Sequence, residues 1–568
     1  MNKFALPVMI LNGIKSGAEM MVMAPYMIYQ FFAGEKTYNW LLWPVLIFCL
    51  LGEWQCVFSI YRHGINGMLA IYALVVGIAV ALVGGLAVAM NKRAGSVLAW
   101  NPGRGALRTW IGKTGGSTAP TIPAGVGAAN PGDVWLRGTR LVGSALLARL
   151  VSHGLSKKEL ELSITWGGVP VPPNTEQQHF LIEGTTGAGK TQAINEMMRK
   201  VRQRKQAAII ADQGGGFLAR FGIDGDLVLN PFDRRTVDWS PFLEIEADYD
   251  YARIAKAAIP DAEDPASQEW KSHAQTLFTE CLRSMHKRGD HSLKQLLYYM
   301  TAASQKELAD FLQGTPAAIY TQPGGERMLN NLRSTGCPDL AKWVHLADKG
   351  TFSVRQWIRQ SDTHRGVLFL TYSDSTKAEL RGLVACWLEL ALIEGLSLPE
   401  SSARRLWYFM DELDSLGRIT SLVDGLTKLR KYGGVCVSGL QTIAQLQATY
   451  GVKMAQTLLS CMGTKLILRA GDAETGKYFE TEIGQQEVER EEASEGTSQQ
   501  VGNLASNSQN RSVRRHLQSA VLGSELTTLL DLQGYVKLIG QPIAKLVMAH
   551  VPMTDINPPF EAKEGAAQ

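Results

Sequence analysis

The stretch from His179 to Thr191 reads HFLIEGTTGAGKT and satisfies G-x-x-x-x-G-K-[ST]. Glycines let backbone N–H groups approach phosphate oxygens with no Cβ in the way, and a helix that follows aims its positive end at the same place. Gly184, Thr185, Thr186, Gly187, Ala188 and Gly189 would form that cradle. Lys190 would reach the β- and γ-phosphates of a nucleotide, and the Thr191 hydroxyl would take a place on Mg²⁺. A second constellation lies far along the chain, where the apolar run Leu406 to Met410 ends in Asp411-Glu412. In a P-loop ATPase an acidic pair belongs at the end of a strand beside the phosphate loop. Asp411 would hold the Mg²⁺ water shell and Glu412 would orient or deprotonate the attacking water. The implied chemistry is hydrolysis of ATP with Mg²⁺.

Such a loop needs a buried strand before it and a helix after it. Phe180 to Ile182 supplies the first, and the pattern from Lys190 to about Arg204 the second. Further short apolar runs read as strands: Ala207 to Ala211, Leu227 to Leu229, Gly366 to Tyr372, Gly434 to Val437 and Lys465 to Leu468. Alternating with helices such as Thr376 to Ile393, they predict a parallel sheet covered by helices. Ser144 to Leu160 reads as one helix and Leu162 to Trp166 as a strand. Residues Gly534 to Ile539 and Ile543 to Met548 read as a closing hairpin, and the polar stretch Glu487 to Arg515 as a mobile surface excursion.

A chain of 568 residues exceeds what one core usually serves. Its net charge of +4 is too small to imply nucleic acid by itself, and its 7 scattered cysteines argue against disulfides and zinc. Residues 1–93 read as a transmembrane region. Positions 67–90 carry no charge and are long enough to cross a bilayer, and 40–58 form a second span weakened by Glu53. Lys92, Arg93, Arg104, Arg108 and Lys113 follow the stronger span, which places the large C-terminal part in the cytoplasm with both termini inside; three spans are the alternative. Residues 94–134, rich in Gly, Pro and Ala, read as a flexible tether. Segments 135–243 and 359–556 form the nucleotide-binding domain, and 557–568 a polar tail. Between 244 and 358 the pattern is helical throughout, an all-helical inserted domain. It carries His286, Lys287, Arg288, His291 and Lys294 beside Tyr298 and Tyr299, which suits single-stranded nucleic acid or, alternatively, a solvated helix face.

From about Trp135 to Pro552 the residues resemble the coupling proteins of conjugative type IV secretion systems, of the TraD and TrwB kind. The motifs are W-x-R-G-T-R-L-V (135–142), G-T-T-G-A-G-K-T (184–191), L-N-P-F-D-R-R-T-V-D-W-S-P-F (229–242), R-L-W-Y-F-M-D-E-L (405–413), L-T-K-L-R-K-Y-G (426–433) and S-G-L-Q-T-I-A-Q-L (438–446). The resemblance implies an α/β RecA-like P-loop NTPase with N-terminal transmembrane helices. It implies a multi-pass protein of the bacterial inner membrane, assembling as a homo-hexamer on its cytoplasmic face. Such proteins join the relaxase and its relaxosome to inner-membrane components of the secretion channel and drive single-stranded DNA. By position, Arg430 resembles an arginine finger reaching a neighbour's ATP and Gln441 a γ-phosphate sensor. For Arg430 the alternative is a cation balancing a helix C-terminus. A nucleotide-gated docking receptor without its own pumping is the competing reading. A cassette transporter fits less well, because S-G-L-Q follows the acidic pair, and the helical insertion sets the chain apart from a DNA-segregation motor.

Overall fold

The computed structural model describes residues 122–262, 264–498 and 506–563. The segments expected to span a membrane lie outside them. Among the described residues no helix is long and apolar enough to cross a bilayer.

A ten-stranded sheet organises the structure. Its central strands are buried along their whole length, which is why they read as near-continuous apolar runs. In spatial order they are Leu141–Gly143, Ile543–Val547, Gln533–Lys537, Thr464–Ile467, Phe180–Glu183, Gly434–Leu440, Leu406–Met410, Ala208–Gln213, Val367–Tyr372 and Leu227–Leu229. From Thr464–Ile467 to Leu227–Leu229 every pairing is parallel. Strand Gln533–Lys537 runs against both its neighbours. The strand Phe180–Glu183 therefore lies between two strands that come late in the chain, while the next strand in sequence, Ala208–Gln213, lies beyond Gly434–Leu440 and Leu406–Met410. The glycine loop falls at the strands' carboxyl ends beside this change of strand order, the place where open α/β sheets bind ligands. Neither outer strand is bare: Leu141 donates its N–H to Gly127 O at 2.9 Å, and Val237 donates to Val228 O at 2.9 Å.

One face of the sheet packs on helices Ser144–Ser152 and Lys190–Gln203. The other packs on Lys377–Gly395 and, in one continuous core, on the helices of residues 248–364. Those helices begin with side-chain caps at Asp264, Ser292, Ser304 and Ser353. Among its described residues the stretch 244–358 holds no strand, yet it is not walled off from the sheet. Trp239 meets Trp343 edge-on at 5.3 Å and Trp387 of helix Lys377–Gly395 at 6.0 Å. Arg355 grips Asp250 through two hydrogen bonds of 2.8 and 2.6 Å and pairs with Glu394 at 3.0 Å.

Several expectations are corrected. The stretch Ser144 to Leu160 is two helices, because Gly154 turns the chain at φ +89° and Ser156 starts Lys157–Leu162 with a capping box. The strand expected over Leu162 to Trp166 shrinks to Thr165–Trp166. The described end of the tether is folded: Gly125 bridges Trp135, and Arg140 donates to Val126 O at 2.7 Å and Pro123 O at 3.1 Å. Residues 556–563 run as a strap over the sheet's end, with Asn557 Nδ2 donating to Gly222 O at 2.8 Å and Lys563 N to Phe232 O at 2.9 Å. The polar stretch from 487 is a ribbon of two long antiparallel strands, Gln485–Ser498 and Ser506–Ser519, with Val134–Gly138 paired alongside. Cross-strand charge takes the place of apolar alternation there, as in Glu489–Arg515 (3.3 Å) and Glu492–Arg514 (3.4 Å).

Candidate phosphate and hydrolysis site

The loop between Phe180–Glu183 and helix Lys190–Gln203 is held by its neighbours' backbone. Gly184 N donates to Leu440 O at 3.0 Å and Thr185 N to Arg469 O at 2.8 Å, while Leu532 N donates to Ala188 O at 2.9 Å. Gly187 sits at φ +81°, and a Cβ there would meet nothing within 4 Å, so backbone conformation and open approach explain the glycine. The helix starts at Gly189, φ +118°, with no side-chain cap. Its first turn thus presents N–H groups to the loop's open side.

Lys190 lies across this loop, its Nζ donating to Gly184 O at 2.5 Å and Thr185 O at 3.4 Å. Burial lowers its pKa, opposed by the charges of Asp411, Glu412 and Glu183. Thr191 is exposed in the first turn. Two strands away, Leu406–Met410 delivers Asp411 and Glu412 to the same end of the sheet. Burial pushes Asp411 up to about 6 even with Lys190 nearby, and its Oδ1 is buried without a hydrogen-bond partner. A buried, orphaned carboxylate oxygen beside an uncapped helix start and a lysine fits Mg²⁺ and a polyphosphate.

Gln441 ties the two constellations together. It follows the strand that lies between them, donates through Nε2 to Glu412 Oε1 and accepts from Thr186 Oγ1 at 3.5 Å. The approach of those strands is close, because Gly439 faces the Asp411 carbonyl so tightly that a Cβ would lie 1.8 Å from it.

The loop residues, Lys190, Asp411, Glu412 and Gln441 are brought together; Arg430 is not. It lies exposed in the turn Leu429–Tyr432, within electrostatic reach of His179, at the opposite end of the phosphate-loop strand. Five residues of extended chain, roughly 16 Å, separate that end from the loop. Part of the insertion's basic cluster is already engaged, while Tyr298 stays exposed with its hydroxyl donating to Glu307 Oε2 at 2.8 Å. Tyr299 stacks on Phe311 at 3.9 Å, Arg288 covers the same ring and donates to Phe311 O at 3.0 Å, and His286 pairs with the Tyr251 hydroxyl at 2.9 Å. Lys287 and Lys294 remain exposed.

Other groups join the site that the sequence did not single out. Glu183, just before the loop, is fully buried with both oxygens unpartnered, and burial raises its pKa well above the carboxylate range. Asp212, next to last in the strand Ala208–Gln213, accepts N–H bonds from Phe217 (3.1 Å) and Leu218 (2.7 Å), and is pushed by burial to about 7. Lys377 places its Nζ 3.4 Å from Glu412 Oε2. A polar residue directly before the loop was a visible signal for Glu183; Lys377 left none, since only folding sets it beside the acidic pair.

Residues 163–549 match the family described as the type IV secretion-system coupling protein DNA-binding domain. Over 421 residues, 72% of this chain and 58% of the relative, the sequence is 30% identical to the coupling protein TraD of Escherichia coli (strain K12). It is 22% identical over 403 residues to the protein VirD4 of Rhizobium radiobacter, covering 66% of this chain and 57% of that one. The chain thus spans a little over half the length of these curated relatives. Among solved structures, the bacterial conjugative coupling protein TrwBdeltaN70 in an unbound form is similar with a TM-score of 0.70 and 33% identity, over 77% of this chain and 99% of that one. The plasmid coupling protein TrwB in complex with ADP and Mg²⁺ is similar with a TM-score of 0.68 and 33% identity, over 76% of this chain and 98% of that one.

Proposed function

This chain belongs to the type IV secretion-system coupling protein family, and from that premise we propose that it is a membrane-anchored, RecA-like ATPase. It couples a relaxase-bearing relaxosome to the inner-membrane components of a secretion channel and drives single-stranded DNA during conjugation. The observation that carries this reading is the convergence of Lys190, Asp411, Glu412 and Gln441 at the carboxyl ends of adjacent parallel strands. Crystallised TrwB complexes with ADP and Mg²⁺ and with an ATP analogue support the choice of nucleotide and metal.

Each residue then has a task. The loop from Gly184 to Gly189 and the first turn of the helix receive the phosphates on backbone N–H groups. Lys190 exchanges its bonds to Gly184 O and Thr185 O for anionic phosphate oxygens, which an ammonium binds more strongly than neutral carbonyls. Thr191 and Asp411 would hold Mg²⁺, which would supply positive charge to offset that of the phosphates. Glu412 orients the attacking water and takes its proton, and Gln441 reports the γ-phosphate because it touches both Thr186 and Glu412. Arg430 serves a neighbouring subunit: a residue at the opposite end of the strand from its own loop is suited to a head-to-tail ring of six. The spans at 40–58 and 67–90 anchor that ring, with the tail-end domain in the cytoplasm.

ATP turnover by the full chain, with and without single-stranded DNA, tests this. Lys190→Ala, Glu412→Gln and Arg430→Ala should each lose turnover, and mixing Arg430→Ala with Lys190→Ala should restore part of it. A hexamer that binds ATP and never hydrolyses it would move the docking-receptor reading ahead.

A further inference from the structure

Each oxygen of Glu412 already has a partner. Gln441 Nε2 donates to Oε1, and the Lys377 ammonium stands 3.4 Å from Oε2. Lys377 is also near enough to Asp414 to lower that carboxyl's pKa, which burial raises. A carboxylate whose two oxygens are turned toward a lysine ammonium and an amide N–H is poorly placed to orient a water molecule, so something must release it before turnover.

Lys377 is the first residue of the 19-residue helix Lys377–Gly395, a rod of about 28 Å. The loop leading into it is pinned: Ser373 N donates to Thr376 Oγ1 at 3.0 Å, and Gln213 Nε2 donates to Asp374 Oδ1 at 2.6 Å. In the middle of the rod Trp387 is buried against Trp239, which carries Trp343 of the helical stretch. At its far end Glu394, also buried, accepts from Arg359 Nε at 2.5 Å and pairs with Arg355 at 3.0 Å, both from helix Val354–Arg359. The rod thus has the hydrolytic carboxylate at one end and the insertion's ion pairs at the other.

We infer that Lys377 is a positioning residue that parks Glu412 off the attacking water, and that helix Lys377–Gly395 lets a load on the helical insertion withdraw it. The ends differ in strength. The ion pair at Glu412 is partly open to solvent, with Lys377 33% exposed, so it is weak enough to break in each cycle, whereas at Glu394 the pair with Arg355 is buried and holds, the outer pair with Arg359 adding to it from the solvent side. Movement at the insertion therefore reaches Glu412 before it breaks the rod's own anchorage. The inference rests on the ATPase reading above.

Full-chain wild type, Lys377→Met and Lys377→Arg are compared in ATP hydrolysis, with and without a thymidine homopolymer as the single strand. Lys377→Met should raise the DNA-free kcat by about two- to fivefold, the range set by a partly exposed ion pair. KM for ATP should stay unchanged, and stimulation by the homopolymer should fall by the same factor. Lys377→Arg, which keeps the cation, should behave as wild type. Arg359→Ala should weaken stimulation in the wild-type background and do nothing further in Lys377→Met, since both act through one path. Wild-type turnover with Lys377→Met unchanged in basal rate and stimulation overturns the clamp. A raised KM with a lowered kcat also overturns it, because Lys377 would then be binding phosphate. Wild type without turnover under either condition removes the ATPase reading itself, and the clamp with it.

Discussion

At the scale of single residues, the proposed function divides the site into groups that bind and groups that react. Glu412→Gln keeps the shape and a hydrogen bond to Gln441 but cannot take a proton. Nucleotide binding should survive while hydrolysis falls on the order of a hundred- to ten-thousandfold, measured by parallel binding and turnover assays. Asp411 makes a pH prediction. Folding holds its pKa at about 6, above the ordinary 3.8. Its contribution to stability is full below about pH 4 and is lost as pH rises through about 6. Asp411→Asn should therefore stabilise the nucleotide-free protein more at about pH 8 than at about pH 4, by an added 1–3 kcal/mol at most, an order-of-magnitude bound read by thermal unfolding. An equal effect at both pH values would show that Asp411 ionises as freely folded as unfolded. Legibility at this scale follows sequence distance. The phosphate loop is contiguous and its spacing is its chemistry, so it reads directly. The bond from Lys377 to Glu412 joins residues 35 apart in sequence, and no spacing rule reaches that far.

At the scale of elements, the interior strands were legible because burial on both faces demands unbroken apolar runs, as in Leu406–Met410. The ribbon Gln485–Ser498 and Ser506–Ser519 was not, because its residues disfavour strands one by one and its charge pairs exist only once the two strands meet. The same closeness that makes the site also exposes it to disruption. Gly439→Ala would drive a methyl group into the Asp411 carbonyl, backbone against backbone, so the two strands must part at the acidic pair. Hydrolysis should fall sharply and stability by about 1–3 kcal/mol, checked by turnover and thermal unfolding of the purified variant. Arg355→Ala leaves Asp250 and Glu394 without their shared cation. It should destabilise by about 3–5 kcal/mol in denaturant titration, the usual cost of an abandoned buried carboxylate.

At the scale of the whole molecule, the arrangement is polar: the phosphate loop lies at one end of the central strands and Arg430 at the other. If the finger acts between subunits, activity should rise more steeply than in proportion to protein concentration and level off once rings are complete, a dependence readable by turnover beside light scattering. Two segments that seemed loose in sequence, the tether's last residues and the C-terminal strap, gain their order only from the surfaces they cross, which sequence does not display. The blunted margins of the sheet bear on crowding. With Gly127 against one outer strand and Val237 against the other, the exposed hydrogen-bonding rows that invite amyloid-like fusion of neighbouring copies are interrupted. Crowded molecules can then touch flank to flank without zipping irreversibly into one another. The long ribbon is the exception, and its alternating charges are the sort of guard that keeps an open margin from sticking.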